Sequence, residues 1–363
     1  MTAEPKLPPV RIARVMDSVR RRLRRLDQKL VPAPIAVLDM MTGAFFTRAI
    51  YTAAKFGIAD VLSDGPLTAE AIAKQVGANP DALRRMLRTL ASRGIFAQQA
   101  DGRFALTPLA DALRSDAPTS VRGVVLFWGD QRHWEHWGQL PHTVQTGQPA
   151  VDSLRGKPMF DFLLDDPEFA AIFNDGMTSV SDMEIPPLLA AYDFTGVGTI
   201  VDVGGGHGRL LAAILQKWPQ AHGILFDAES VVEGAPAVLD AAGVADRCTA
   251  VGGSFFESVP SGGDAYVLKH IVHDWDDSTA LAILRNVRAA MSRDAKLLVI
   301  ESVVPDDNRE HVSKMIDLEM LVVATGRERT SAEYAELLRT AGFRFTRVIP
   351  TVGPTSIVES VAA

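Results

Sequence analysis

The chain has 363 residues, 47% of them hydrophobic and 22% charged, and a formal net charge of −7 at pH 7. This composition is typical of a globular protein large enough for two domains, and the acidic balance argues against a dominant electrostatic interaction with nucleic acid. Cys248 is the only cysteine, so one chain can form neither a disulfide framework nor a cysteine-based metal cluster. We find no apolar signal core and expect no membrane-spanning run, which predicts a cytoplasmic location.

Residues 1–34 read as a basic N-terminal arm. Within it, Arg11–Lys29 combines clustered arginines with apolar residues at helical spacing, which predicts an amphipathic helix. Such a helix could contact an anionic membrane or a partner, but we favour a helix that packs on its own protein or a partly ordered arm. Pro32 and Pro34 end this segment.

Residues 35–195 are predicted to form a helical dimerisation and substrate-lid domain. An apolar helical pattern over Ile35–Leu62 would leave a large exposed patch on a monomer, so we expect a homodimer. Leu67–Leu113 then has the pattern of a winged helix, with two helices and a hairpin that turns at Asp101 and Gly102. Because the chain is acidic, we favour dimerisation over DNA binding for this module. The predicted elements are Ala69–Val76, Ala82–Arg93, Ile95–Gln98 and Arg103–Leu106.

Residues 196–363 alternate between strands and helices, which predicts a Rossmann-like, doubly wound α/β sheet with a hairpin-like antiparallel end. Ligands of such sheets bind outside the carboxyl ends of the strands. The predicted strands are Thr199–Val203, His222–Phe226, Cys248–Gly252, Asp264–His270, Lys296–Val303, Phe343–Ile349 and Ser356–Val361.

The first of these strands runs into a glycine-rich turn, VDVGGGHGR at residues 201–209. A dinucleotide fingerprint that starts at Gly204 and Gly206 needs its third glycine at position 209, where the chain has Arg209. The pattern is instead G-x-G-x-G, which is typical of enzymes that bind S-adenosylmethionine. Asp227 ends the next strand, where an acid commonly accepts hydrogen bonds from ribose hydroxyls, with Glu229 as the fallback.

The segment Gly262–Asp277, GGDAYVLKHIVHDWDD, holds the densest group of chemically capable side chains. His273 could act as a general base, because the ordinary pKa of imidazole near 6.5 leaves it partly neutral at pH 7. Alternatively, Asp276 or Asp277 merely caps the following helix, or His273, with its neighbouring aspartates, binds a divalent metal. We favour the general base and expect no metal.

Four motifs in sequence order resemble the plant-type, caffeate-like S-adenosylmethionine-dependent O-methyltransferases, including bacterial relatives that act on natural products. They are VDVGGGHG, GGSFFESVPSGGDAYVLKHIVHDWDD, LLVIESVVP and GRERT. The resemblance covers the second domain and extends to the first through the FWGDQRHWEHW segment. It implies methyl transfer to a hydroxyl of an aromatic or polycyclic small molecule.

The resemblance also implies roles for matched positions. His273 corresponds to the base, and Glu301 and Glu328 to acids that flank and orient it. The implied cofactor contacts are Asp202, Gly204, Gly206, Asp227, Ser254, Phe255 and Lys269. The implied acceptor contacts are Phe127, Trp128, Met177 and Asp274.

The sequence departs from the family pattern at two places. Asp227 is followed by Ala228 and Glu229 where the family has Leu-Pro, and Ser254 stands where the family has an acid that binds adenine. A neutral hydroxyl forms a weaker hydrogen bond than a carboxylate, so the cofactor affinity is open. A non-methylating relative on the same scaffold and a winged-helix transcription regulator stay as alternatives.

Overall fold

The computed structural model describes residues 7–363. The helices of the first half are α1 (Val10–Lys29), α2 (Ala33–Lys55), α3 (Ile58–Val61), α4 (Ala69–Val76), α5 (Pro80–Ser92), α6 (Pro108–Asp111), α7 (Arg122–Gly129), α8 (Gln131–Gly138), α9 (Leu140–Thr146), α10 (Ala150–Arg155), α11 (Met159–Asp165) and α12 (Pro167–Ala191). Those of the second half are α13 (Arg209–Lys217), α14 (Glu229–Val232), α15 (Ala235–Ala241), α16 (Asp277–Ala290), α17 (Ser313–Val323) and α18 (Ser331–Thr340).

Ten strands accompany these helices in the described part of the chain. They are β1 (Phe96–Gln98), β2 (Phe104–Leu106), β3 (Thr199–Val203), β4 (His222–Asp227), β5 (Cys248–Gly252), β6 (Ala265–Lys269), β7 (Lys296–Val304), β8 (Arg329–Thr330), β9 (Phe343–Pro350) and β10 (Thr355–Ala362). The seven strands predicted beyond residue 195 agree with β3–β7, β9 and β10 to within one residue at each end. The two-residue β8 was not predicted.

The main sheet confirms the predicted fold class. Its strand order is β5-β4-β3-β6-β7-β10-β9, and the short β8 pairs with β7. Strands β3–β7 run parallel, whereas β10 pairs antiparallel with both β7 and β9. Apolar cores cover both faces: Val201 belongs to one that includes residues of α16 and α18, and Ile200 to another that includes residues of α13. The parallel strands therefore end at one common edge.

Contacts divide the chain into two compact units. One consists of residues 1–17, 139–159 and 184–363, and the other of residues 18–138 and 160–183. The segment 139–159 groups with the sheet because α9 and α10 contact α17. The predicted boundary at 195 places this segment in the other domain, and that boundary stays a prediction.

The second unit contains the predicted succession of two helices and a hairpin. Thr68 and Asn79 cap α4 and α5 by accepting hydrogen bonds from the N–H groups of Ala71 and Ala82. Strands β1 and β2 pair antiparallel across the predicted turn. The order and limits of these elements follow from local sequence signals.

The length and apolar composition of helix α2 differ from what the sequence led us to expect. Its 23 residues are long and apolar enough to cross a membrane, judged by length and composition alone. The sequence had led us to expect no apolar run long enough to span a bilayer, and the length and composition of α2 overturn that expectation. Several of its apolar side chains are exposed, and Phe45 is 76% exposed.

Candidate active site

The glycine turn lies directly against the segment that carries His273. Gly204 has φ of 70°, and a Cβ added there would lie 2.4 Å from Cδ1 of Ile271. Only glycine combines this left-handed backbone with so close a contact. Asp227 fixes the turn from the neighbouring strand, because its Oδ2 accepts a hydrogen bond of 2.8 Å from the N–H of Gly206. The structure thus brings together the turn, the predicted ribose-binding acid and the predicted base segment.

A buried carboxyl group lies at the root of this turn. Asp202, at the end of β3, is buried, and its Oδ2 has no hydrogen-bond partner among the described residues. Burial raises the pKa of Asp202 to about 7, with Asp227 adding to the shift and Lys269 opposing it. An orphaned buried acceptor is expensive unless a donor reaches it. A ligand that carries ammonium or hydroxyl donors fits this position.

Aromatic rings stand beside the glycine turn. Cε1 of Phe255 lies 3.6 Å from the position of a Cβ on Gly204. The ring of Phe255 packs on Phe256 with centroids 4.7 Å apart, and Phe256 packs on Trp275 at 4.9 Å. Ser254 uses its Oγ to accept a hydrogen bond from the N–H of Phe256. These rings offer an apolar surface of the kind on which a base ring stacks.

His273 and Glu328 form a buried pair. Nδ1 of His273 lies 2.8 Å from Oε1 of Glu328, and both side chains are buried. Because a carboxylate only accepts hydrogen bonds, Nδ1 is the donor and Nε2 is left to exchange a proton with a ligand. An orienting acid requires this geometry, and the role of Glu328 stays a prediction.

Glu301 orients the base in a different way from the one expected. Its Oε1 accepts hydrogen bonds from the backbone N–H groups of Ile271 and His273, at 3.2 and 3.0 Å. Its Oε2 accepts a short hydrogen bond from the hydroxyl of Tyr334. Glu301 therefore holds the backbone under the imidazole and makes no described hydrogen bond to the ring. The family resemblance implied that both acids flank His273, but it did not say which atoms they bind.

The charges around His273 raise its affinity for a proton. Burial alone would lower the pKa of His273, but Asp274, the hydrogen bond to Glu328, and Glu301 together raise it to about 10. Asp274 contributes most of these, and its Oδ1 lies 3.5 Å from Nε2. Burial in turn raises the pKa of Asp274 to about 6 and also raises the pKa of Glu328. The carboxylates around the ring thus move the pKa of His273 upward from the ordinary value near 6.5.

Two residues that sequence analysis left without a role hold this pair in place. Arg329 is buried and donates hydrogen bonds to the carbonyl oxygens of Val272 and Trp275 and to Asp277. A Cβ added to Gly326 would lie 1.8 Å from the carbonyl oxygen of His273. The GRERT segment therefore packs directly on the backbone of the turn 272–277. That contact explains why the segment has a glycine at position 326 and an arginine at position 329.

Glu184 and His270 were also missed. Glu184 is buried and binds Nζ of Lys269 at 3.0 Å and Nε2 of His270 at 2.8 Å. His270 has φ of 54°, and no other non-glycine residue in the described range has a positive φ. Its ring stacks on that of His273 with centroids 5.0 Å apart. A strained backbone next to a candidate base often marks a functional constraint.

The predicted acceptor contacts fall in different parts of the chain. Asp274 lies beside His273 in the sheet unit, whereas Phe127, Trp128 and Met177 belong to the other unit. Phe127 is buried against Phe173, with ring centroids 5.3 Å apart, and Trp128 is 42% exposed. All four acceptor assignments stay predictions. Within residues 7–363, no group of three or more His, Cys, Asp or Glu is arranged to hold a metal ion.

Comparison with known proteins identifies the family. Residues 137–344 match the model of the O-methyltransferase domain, and residues 38–116 match that of the O-methyltransferase dimerisation domain. The chain belongs to the O-methyltransferase family. It is accordingly an S-adenosylmethionine-dependent methyltransferase, and the dimerisation domain supports a homodimer.

Relatives cover almost the whole chain. A phenazine O-methyltransferase of Lysobacter antibioticus is 42% identical over 91% of this chain and 96% of its own length. A mitomycin biosynthesis 6-O-methyltransferase of Streptomyces lavendulae is 40% identical over 89% and 93%. The crystal structure of a calicheamicin biosynthesis methyltransferase, in its S-adenosylhomocysteine-bound form, has a TM-score of 0.83 and 39% identity and covers 91% of this chain and 98% of that one.

The residues at the sheet edge fit the family's cofactor. S-Adenosylmethionine offers ribose hydroxyls and an ammonium group as donors, and the edge offers carboxylate acceptors in Asp227 and the orphaned Oδ2 of Asp202. The close backbone approach at Gly204 and the ring of Phe255 suit an apolar, ring-bearing ligand. The acceptor groups at the sheet edge and the shape of the glycine turn therefore agree with the cofactor that the family uses.

Proposed function

We propose that the chain transfers a methyl group to a hydroxyl of an aromatic or polycyclic small molecule, with His273 as the general base. The observation that carries this proposal is the buried pair of His273 and Glu328 on the segment whose Ile271 touches the glycine turn. A base whose segment packs directly against the cofactor turn meets the positional demand of methyl transfer, in which much of the rate comes from orientation.

The mechanism rests on proton handling by this chain. Bound S-adenosylmethionine supplies a methyl group on positively charged sulfur, which an oxygen nucleophile can displace directly. A phenolic acceptor has a pKa near 10, as tyrosine does, and is mostly protonated at neutral pH. In its neutral form, His273 takes that proton at Nε2 as the oxygen attacks, and Glu328 stabilises the resulting imidazolium through Nδ1. Glu301 holds the backbone of His273 in position by accepting a hydrogen bond from its N–H group.

The acceptor class follows from the relatives and the chemistry. The two relatives described above act, by their names, on phenazine and mitomycin substrates. We assign Phe127, Trp128, Met177 and Asp274 to the acceptor side and Asp202, Gly204, Gly206, Asp227, Ser254, Phe255 and Lys269 to the cofactor side. We also place the protein in the cytoplasm, free or on the cytoplasmic face of a membrane, which protection from added protease in intact cells tests.

The decisive experiment uses S-adenosylmethionine with a deuterated methyl group and a panel of phenols, hydroxyphenazines and hydroxyquinones, read by mass spectrometry. His273→Ala should lower turnover about 10²–10⁴-fold and leave cofactor binding nearly unchanged. His222→Ala, at the exposed amino end of β4, is the matched control. Full activity of His273→Ala with an acceptor of ordinary phenol pKa would refute the base.

The same assays separate the alternatives. Conversion of an acceptor without label transfer would identify a non-methylating relative. Tight binding to specific DNA fragments in a gel-shift assay would identify a regulator. EDTA should not change the rate, and an activity that EDTA abolishes and a divalent ion restores would make the cluster of His273 and the neighbouring aspartates a metal site.

A further inference from the structure

Helix α1 is amphipathic along its whole length and leaves its apolar face in water. None of its residues is buried, so the structure does not show the packing on its own protein that we favoured from the sequence. Its apolar side chains recur every three or four residues, so at 100° per residue they share a sector about 100° wide. The members of this face, with Leu30 just beyond the helix end, are Ile12, Val15, Met16, Val19, Leu23, Leu26 and Leu30, each between 49% and 73% exposed.

The rest of α1 is strongly basic. Seven arginines and one lysine stand against two aspartates, which gives the helix a net charge of +6. Since the chain as a whole carries −7, everything outside α1 carries −13. Projected at 100° per residue, Arg11, Arg22 and Lys29 flank one side of the apolar face and Arg20 the other. Long basic side chains at the edges of an apolar face can keep their charge in water while their stems cover apolar surface.

The matched dimerisation domain does not include this helix. The dimerisation domain matched in this chain begins at residue 38, beyond the end of α1 at Lys29. The exposed apolar residues of α2 from Leu38 onward belong to that domain, so the second subunit is their natural partner. Helix α1 needs a partner of its own.

We propose that α1 binds an anionic lipid surface and holds the enzyme at a membrane as a peripheral protein. A helix with an apolar face and an arginine-rich polar face lies in the interface plane, with its apolar side chains below the headgroups. The positive charge is attracted to acidic headgroups within a Debye length of the surface. This chemistry satisfies both faces of the helix at once.

A second subunit or a nucleic acid would each satisfy only one of the two faces of α1. The same helix from a second subunit would cover the apolar face but would set one +6 helix against another, and like charges in contact are destabilising. Nucleic acid would neutralise the arginines through its phosphates but would leave Ile12, Val19 and Leu23 in water. An anionic lipid surface is the occupant that the observations favour.

The test is flotation of the full-length protein with vesicles, without cofactor or acceptor, so that its outcome does not depend on the proposed function. The vesicles are phosphatidylcholine alone, or phosphatidylcholine with about one quarter phosphatidylglycerol. We expect the bound fraction to rise at least about tenfold with the anionic lipid and to fall as salt is raised. Equal binding to both vesicles, or binding to neither, would overturn the proposal.

Two pairs of substitutions assign the binding to α1. Arg22→Glu with Arg25→Glu should abolish flotation, whereas the matched pair Arg85→Glu with Arg88→Glu, on the exposed face of α5, should not. Leu23→Glu with Leu26→Glu should also abolish it and leave the dimer mass and melting temperature unchanged. Loss of the dimer in this last pair would instead assign the face to the second subunit. A different pair of results would assign α1 to nucleic acid. The unmodified protein would not bind vesicles, and the variant with both leucine substitutions would still bind a random DNA duplex.

Discussion

Oε1 of Glu328 lies 2.8 Å from Nδ1 of His273, and both groups are closed off from solvent. This contact fixes which imidazole nitrogen faces a ligand. Glu328 itself is set by a third acid, because its backbone N–H donates a hydrogen bond of 2.9 Å to Oδ1 of Asp317. The orientation of the base thus depends on a chain of contacts rather than on one side chain.

The substitution Glu328→Gln should therefore lower turnover by about 10²-fold or more. A neutral amide cannot stabilise the imidazolium that forms when His273 takes the acceptor proton. Cofactor affinity, measured by calorimetry, should stay within a factor of a few, and the exposed Glu257→Gln serves as the control. Wild-type turnover in Glu328→Gln would show that the pair is structural only.

The midpoint of the pH profile should lie at a higher pH than the one expected for a free imidazole base. Neighbouring carboxylates raise the pKa of His273 to about 10, and a base works only in its deprotonated form. The value of kcat/KM should therefore increase with pH along a limb whose midpoint lies above the ordinary 6.5. Asp274→Asn removes the largest of the charges that raise this pKa and should move the midpoint to lower pH. A midpoint that stays fixed, or that moves as far in the exposed control Asp240→Asn, would contradict the assignment.

Gly326→Ala tests the contact between the GRERT segment and the base. The added Cβ would lie 1.8 Å from the carbonyl oxygen of His273. Because this oxygen belongs to the backbone and not to a flexible side chain, the GRERT segment must move, and Glu328 moves with it. We expect a loss of about 1–3 kcal/mol in the free energy of unfolding and a fall in turnover of at least tenfold. Gly353→Ala, whose Cβ would meet Thr351 at an ordinary 3.5 Å, should change neither quantity.

The oligomeric state should depend on the exposed face of α2. Phe45 is 76% exposed in the single chain, and the dimerisation domain begins at residue 38. Phe45→Glu should lower the mass measured by light scattering from twice 39.2 kDa towards one chain, because an interface core tolerates an unpaired charge poorly. Val144→Glu, an exposed apolar position outside that domain, should stay dimeric. A dimeric Phe45→Glu would place the interface elsewhere.

Sequence analysis predicted the features that local signals encode. The alternation from Thr199 to Val203 defines a strand, and the missing third glycine at Arg209 indicated the cofactor class. It also predicted that the carboxyl ends of β3, β4 and β6 share an edge, because parallel strands in a doubly wound sheet require this. These inferences need only neighbours in the chain or the known geometry of the fold.

Contacts between distant residues could not be predicted in this way. Glu184 and His270 are 86 positions apart and meet only after the fold forms. Glu301 and Glu328 looked equivalent from sequence, but Tyr334 binds one oxygen of Glu301 and backbone N–H groups bind the other. The pKa of His273 likewise depends on burial and on the summed charges around it, which no spacing pattern reports.

The buried carboxyl of Asp202 provides the last prediction. Its pKa is raised to about 7 in the folded chain, whereas in an unfolded chain it is about 3.9. Between these values the folded state holds a proton that the unfolded state has released, so the stability of the ligand-free protein falls as pH rises towards the folded value. Asp202→Asn removes that titration and should raise the melting temperature more at about pH 8 than at about pH 5.

The same substitution should weaken cofactor binding. Losing a charge-assisted hydrogen bond to the orphaned Oδ2 should raise the dissociation constant for S-adenosylhomocysteine about 10–100-fold, as measured by calorimetry. Asp240→Asn, exposed on α15, should alter neither the melting temperature nor the dissociation constant. If Asp202→Asn destabilised the ligand-free protein equally at both pH values and left affinity intact, Asp202 would be a structural acceptor, and its place in the cofactor site would be wrong.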